Sequence, residues 1–337
     1  MARIGMRWGG RWVAGALLAL SWSHAVLASP DGDGPTATVY PMVEVPRARR
    51  HAHYKTLGRR DAQRVGPPRV YRIPKRLWVG QYEVTVDQAR AVLPELALSG
   101  PGNLPASGLR VVDAALIANA WSVRDGYTPA YAIDMAPIAA LTAHHALLPD
   151  TDDTWADQAA ALQEQAYSAI VLDPDADGYR MPTAFEWTYV AQAGSDTVWV
   201  GTDDAAALCG QANLQETVFN GGGEIADPPA PCRDGHDGLT PVGTFAPNAW
   251  GLYDLMGNVS EIIWGGRRYD TASQSWVATP LALDTTGASV RGGDYEHSPT
   301  YARIFAETRG LTPEMRWHGV GVRFVRGPIG SENAGLE

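Results

Sequence analysis

Between Val111 and Val123 the apolar residues fall at helical spacing. Val112, Ala115 and Leu116 recur, with Asn119 flanking Trp121, which predicts a helix with one buried face ending near Asp125-Gly126. Two shorter helices are marked by their starts. Thr85-Val86-Asp87-Gln88 and Thr183-Ala184-Phe185-Glu186 each place Thr at the cap and Gln or Glu three residues on, a capping box. The first opens a helix to about Leu93; the second turns Trp187, Tyr189 and Val190 inward and stops at Gly194. Leu77–Tyr82 reads as a strand, as does Tyr179-Arg180 behind the acidic turn Asp173–Gly178. That turn imitates an EF-hand start, but its twelfth position is Ala184 where a closing Glu is required. Ala136–Leu148 and Thr154–Ile170, rich in Ala and Gln around Pro149-Asp150, predict a helical pair inserted at about 132–170. Its His144-His145 point about 100° apart on a helix, so they read as solvated or partly buried side chains and not as ligands of one ion. Residues 99–108 and 195–246 read as loop, and a loop as long as the second needs something to hold it.

Composition adds a compartment. The chain has 337 residues, 45% of them hydrophobic, enough for one sizeable core. Arg3, Arg7 and Arg11 precede the apolar run Val13–Ala28, which is short for a membrane span and ends in small residues. Residues 1–28 therefore read as a signal peptide cleaved near Ala28. No later segment is long and apolar enough to cross a membrane, so the expected product is exported, periplasmic or extracellular. Removing three arginines leaves it more acidic than the −10 of the whole chain. Residues 47–76 run against that trend, with eleven Arg or Lys against the single acid Asp61. The span 29–69 reads as a Pro- and Gly-punctuated basic arm without a core. It is either a linker lying on the acidic body or an electrostatic contact for an anionic partner or membrane surface. Nucleic acid is not expected as a partner. Cys209 and Cys232, an even pair in an oxidising compartment, suggest a disulfide; a redox pair would want Cys-x-x-Cys spacing.

The densest chemistry lies in Pro247–Glu261. Asp254 precedes Gly257-Asn258 by three residues, and Glu261 closes the stretch. Two carboxylates with freely turning backbone carbonyls between them suit Ca²⁺, which takes six to eight oxygens in flexible geometry. The same residues also suit a Gly-Asn turn whose acids cap backbone N–H groups.

This stretch resembles the signature of the sulfatase-modifying-factor family, whose founding members are the formylglycine-generating enzymes. Further blocks agree in order: Tyr82-Glu83-Val84-Thr85; Val112-Asp113-Ala114 with Asn119-Ala120-Trp121-Ser122; Gly178–Thr183 with Glu186-Trp187; Arg291-Gly292-Gly293; and Gly321-Val322-Arg323-Phe324. The resemblance implies one α+β domain of the formylglycine-generating-enzyme type, a variant of the C-type lectin fold, over about 70–326, with 327–337 a tail. It implies one or two structural calcium ions. One would be held by Asn213, Leu214, Asp234 and His236, the other by Asp254, Glu261 and the carbonyls of Gly257 and Val259.

Formylglycine-generating enzymes carry two cysteines after the Arg-Gly-Gly strand, and these bind Cu(I). The matching positions here hold His297 and Ala302, so the copper-thiolate mechanism and formylglycine generation are not expected. What remains is His297, Glu296, Glu307 and Arg309 as a candidate acid–base or harder-metal pocket, with iron or another metal left open. If it is an enzyme, the expectation is a non-copper oxidoreductase resembling the pyoverdine-maturation branch. The alternative is a ligand-display module without catalysis, in which Tyr295, Tyr301, Phe305 and Trp317 around Arg309 recognise a peptide or small molecule. Oligomeric state is not legible.

Overall fold

In the computed structural model the described residues are 39–46, 48–52, 69–73, 76–146, 153–215, 230, 231, 233–270, 275–279 and 288–329. The leader expected at 1–28 lies outside them. In chain order the strands are β1 (Met42–Val45), β2 (Ala48–Ala52), β3 (Arg69–Ile73), β4 (Leu77–Gly80), β5 (Tyr131–Ile133), β6 (Ile170–Leu172) and β7 (Tyr179–Arg180). Next come β8 (Ser260–Ile263), β9 (Gly266–Asp270), β10 (Ser275–Thr279), β11 (Ala288–Arg291), β12 (Thr308–Leu311), β13 (Val320–Gly321) and β14 (Val325–Arg326). The helices are α1 (Val86–Arg90), α2 (Val111–Arg124), α3 (Met135–His145), α4 (Asp153–Ser168) and α5 (Ala184–Gln192).

Two four-stranded sheets carry the fold. One runs β1-β4-β14-β7, antiparallel throughout; the other runs β12-β11-β8-β13, with only the β8–β13 pairing parallel. Both predicted capping boxes form, at Thr85 with Gln88 and at Thr183 with Glu186. The α2 helix matches its predicted span, and its Trp121 is fully buried. Around that indole pack Tyr40, Tyr179 and Phe324, with ring centroids at 4.9, 5.6 and 5.3 Å. The Tyr179 and Phe324 rings meet it edge-on and that of Tyr40 is tilted; aromatic pairs add about 0.5–1.5 kcal/mol each beyond their burial.

The helical pair is present as α3 and α4, which pack on each other, and the antiparallel pair β5–β6 closes their base. Ile138, Leu141, Ala166 and Tyr167 join them to the main core. Neither histidine of α3 stands in a metal cluster among the described residues; His145 Nδ1 lies 3.0 Å from Glu314 Oε1. The EF-hand imitation is a plain acidic turn, with Asp173 accepting from the amide of Asp175 and Asp177 from that of Thr128.

Both expected domain boundaries need correction. Residues 39–46 belong to the body and not to a basic arm: β1 pairs with β4, and Tyr40 is buried in the main core. Its hydroxyl donates to the Tyr82 carbonyl at 2.8 Å and accepts from the Phe324 amide at 3.1 Å. A Cβ on Gly80 would lie 1.9 Å from that hydroxyl, so the glycine leaves the ring its place. In the sequence this short apolar strand is hidden by the charge of the residues that follow it. At the other end Ile329 is buried in the same core, and the carbonyl of Gly327 accepts from Arg180 Nε. The tail therefore starts later than 327.

Tyr40→Ala is expected to destabilise the protein by about 3–5 kcal/mol in denaturant melts, and Tyr40→Phe by about 1–3 kcal/mol. A stability unchanged by either would return residue 40 to a detached arm.

Candidate functional site

The Pro247–Glu261 stretch is a chain of tight turns. Asn248 Oδ1 accepts from the amides of Trp250 and Leu252, while its Nδ2 donates to the carbonyl of Val190 at the end of α5. Asp254, Gly257 and Asn258 follow with φ of 54°, 71° and 60°, all left-handed. At Gly257 the chain runs alongside Asn213, and a Cβ there would lie 1.8 Å from the Asn213 carbonyl oxygen. Only glycine satisfies both demands. Asn258 is a hub: its amide donates to Asn213 O, its Oδ1 accepts from the Thr240 amide, and its Nδ2 donates to Glu83 Oε2 at 2.7 Å.

Charge converges behind this loop. Arg323 is fully buried and donates to Glu261 Oε1, to the Gly80 carbonyl of β4 and to the Tyr253 carbonyl. Glu261 Oε2 accepts from the Trp187 indole of α5 at 2.6 Å. Asp254 and Glu83 are buried beside this pair, so three carboxyl groups face one guanidinium. Burial pushes Asp254 up to about 6, and burial with the nearby Asp254 and Glu261 pushes Glu83 well above the carboxylate range.

These observations test the calcium expectation. Asp254 Oδ2 accepts from the Gly243 amide, but its Oδ1 is buried without a partner. The Oδ1 of Asn213 is likewise buried and unpartnered. Each expected ligand set therefore holds one orphaned side-chain oxygen, which is the donor a hard cation takes. The first set is gathered in space: Asp234 accepts from the amides of Leu214 and His236, and Asn213 Nδ2 donates to the Gly238 carbonyl. In the second, Glu261 is already engaged by Arg323 and Trp187. No three His, Cys, Asp or Glu side chains cluster for a metal among the described residues. Any ion here would lean on the carbonyls of Gly257 and Val259 in one set and of Leu214 and His236 in the other. The unpartnered oxygens of Asn213 and Asp254 are the donors on which such an ion would depend. Cys209 sits in the 3-10 helix Ala205–Gly210, whereas Cys232 lies outside the described residues.

Of the candidate catalytic residues, Glu296, His297 and Glu307 have different side-chain partners. Glu307 bonds Arg291 at 2.9 Å and the Ser289 hydroxyl, below the surface. Glu296 is exposed and paired with His318 Nε2. Arg309 lies on β12 opposite Ser289, with its side chain outside the description. His297 stands apart, its Nδ1 2.8 Å from Asp294 Oδ1 and its ring 4.6 Å from that of Tyr301. Ala302, at the second expected thiolate position, is fully buried among Val198, Trp199, Leu208 and Met256. Tyr301, Met315 and Trp317 are exposed, and the Glu296–His318 pair ties their two loops together. Phe305 and Tyr295 are half-buried.

Reasoning from sequence missed Glu83 and Arg323 as site residues, and it placed Asp294 in the polar segment with Glu296, His297, Glu307, Arg309 and His318 without giving it a role. Glu83 and Arg323 sit inside two of the motif blocks, where their charge within apolar strands was the available signal. Asp294, three residues before His297, had a helix-like spacing but no helix to give it meaning.

A family profile described as "Sulfatase-modifying factor enzyme 1-like domain" matches residues 36–328. "Chaperone protein LppX" of Paenibacillus barcinonensis is 25% identical over 74% of this chain and 79% of its own. A "Formylglycine-generating enzyme" of Thermomonospora curvata is 29% identical over 45% of this chain and 50% of its own. "Inactive C-alpha-formylglycine-generating enzyme 2" of Mus musculus is 35% identical over 30% and 33%. Among solved structures, Treponema denticola variable protein 1 aligns with TM-score 0.60 and 22% identity over 85% of this chain and 95% of its own. PvdO from Pseudomonas aeruginosa aligns with TM-score 0.57 and 18% identity over 85% and 93%. At those identities the structures establish the shared fold.

A carboxyl whose pKa is raised by folding contributes stability while protonated and loses it as pH climbs through the folded value. In chelator, Asp254→Asn should therefore match wild type near pH 4. It should grow more stable than wild type as pH climbs from about 4 to about 6 and level off above that, by up to about 3 kcal/mol. A stability difference that stays flat with pH would mean that Asp254 is not held protonated in the metal-free fold.

Proposed function

This chain belongs to the sulfatase-modifying factor family, and on that premise we propose that it is an exported, calcium-stabilised binding member that does not generate formylglycine. The carrying observation is Ala302. The second thiolate position of the resemblance is a methyl group sealed inside an apolar cluster, and its first is a histidine tied to Asp294. Soft Cu(I) finds no thiolate pair there. That a relative is named a chaperone protein and another an inactive enzyme supports a family scaffold that can serve without that chemistry.

The ligand surface is assigned to Tyr295, Tyr301, Met315 and Trp317, with Glu296 and His318 at its rim. Rigid aromatic area beside charged groups is the composition of recognition hot spots. A peptide or a small molecule with an apolar body and a polar end fits it. Calcium and a Cys209–Cys232 disulfide would hold the long loops behind that surface. The disulfide would close about two dozen residues and contribute roughly 3 kcal/mol on the chain-entropy account. A second reading rests on the Asp294–His297 pair, in which the carboxylate orients an imidazole for proton transfer. It would make the protein a non-copper enzyme of the same fold.

Calcium held at about a hundred times its Kd contributes about 2.7 kcal/mol, so a chelator should lower the Tm and Ca²⁺, but not Mg²⁺, should restore it. An unchanged melt removes calcium from the account. Panned against a peptide library, wild type should retain a subset that Tyr301→Ala/Trp317→Ala loses by at least about tenfold at unchanged Tm. Retention by that variant would move the binding surface elsewhere, and loss of turnover in His297→Gln with binding intact would favour the enzyme.

A further inference from the structure

The helical pair carries a groove at the end where β5 leads into α3 and α4 leaves for β6. It is bounded by those two strands, the first turn of α3 and the last two turns of α4, and its volume is about 740 Å³. That falls within the roughly 300–1,000 Å³ of ligand pockets. Ala132, Ile133, Pro137, Ala161 and Val171 line it with apolar surface. Ala132 and Val171 are cross-strand partners on the outer face of the β5–β6 pair, and Val171 is 56% exposed. Tyr131, Ile170 and Leu172 turn the other way, into the main core, so that the outer face is left to the groove.

The groove also has a sign. Asp134 and Glu164 line it, both exposed, and no Lys or Arg lines it among the described residues. Gln165 and Ser168 bring in the last turn of α4, which holds no basic residue to offset the negative end of its dipole. The neighbouring chain does not offset it either: from Asp125 to Tyr179 there are ten Asp or Glu and no Lys or Arg. An anionic ligand is repelled here, and a wholly apolar one would desolvate carboxylates without compensation. A lone metal ion would leave the apolar lining uncovered, and no three metal-ligating side chains cluster among the described residues. Lys or Arg beside an apolar residue supplies both demands within one short run of chain.

We infer that this groove is a docking site for a cationic peptide segment of a partner protein. Its basic side chains reach Asp134 and Glu164, and an apolar side chain between them covers Ala132 and Val171. This assignment does not depend on the ligand surface at Tyr301 and Trp317.

The full chain is tested by fluorescence anisotropy against a labelled peptide alternating Lys and Leu, with Lys-Ser and Glu-Leu peptides of equal length beside it. The Lys-Leu peptide should bind at least about tenfold more tightly than the Lys-Ser peptide, with an affinity that falls as salt rises. The Glu-Leu peptide should not bind. Asp134→Asn/Glu164→Gln, in which Asn still caps α3 through the Ala136 amide, should bind about five- to tenfold more weakly at unchanged Tm. Val171→Ser should lose about tenfold for the Lys-Leu peptide and nothing for the Lys-Ser peptide. Tyr301→Ala/Trp317→Ala should bind as wild type. Equal affinity for the Lys-Leu and Lys-Ser peptides would report diffuse attraction to an acidic body and overturn the inference. So would wild-type binding by either groove variant, or binding lost in Tyr301→Ala/Trp317→Ala, which would move the peptide to the other surface. Absence of binding by the wild type overturns it equally.

Discussion

A single guanidinium joins the parts of this protein. Arg323 lies between β13 and β14, so its backbone already belongs to the passage from one four-stranded sheet to the other. Its side chain then binds Glu261 of β8 in one sheet, the carbonyl of Gly80 in β4 of the other, and the carbonyl of Tyr253 in the Pro247–Glu261 loop. Through Glu261 it also reaches the Trp187 indole and helix α5. Burying an ion pair gains little net stability against an apolar isostere, but breaking one partner away costs about 3–5 kcal/mol. The arrangement is thus better understood as a device for register. Each sheet, the loop and the helix can pack in one way only if that charge is to be matched.

The surplus of carboxyl groups follows from the same centre. Glu83 and Asp254 are buried where Arg323 serves Glu261, so burial holds both carboxyls above their usual pKa. Glu83 meets its need through Asn258 and the Val259 amide. Asp254 keeps one oxygen unpartnered. Asn258 then links this buried acidic group to the loop at Asn213 and Thr240.

The proposed ligand surface sits on what this frame displays. The segment from Asp294 to Tyr301 leaves β11 through Gly292 and Gly293 and folds back beside Gly319, whose missing side chain leaves room for the Asp294 carboxylate. With Ala302 sealed into an apolar cluster and His297 tied to Asp294, that segment presents aromatic area and charge instead of a thiolate pair. The frame is common to the family, as the profile match over residues 36–328 shows.

Local signals alone were enough for the elements with strong starts or periods. Both threonine capping boxes, the α2 helix, the helical pair and the glycine-dependent turn at Gly257 could be read because each depends on neighbours a few residues away. The family could be read for a related reason, since its blocks are short contiguous runs. What could not be read is the partnership of distant charges. Asp254 and Glu261 stand out in their stretch, and Glu83 and Arg323 lie inside motif blocks, but nothing local says that one arginine must answer three acids. Likewise Glu307 looked available until the fold set it against Arg291, and Tyr40 looked like part of an arm until Gly80 made room for its ring. Burial and pairing across long sequence separations are properties of packing, and a linear pattern carries no record of which buried group stands beside which.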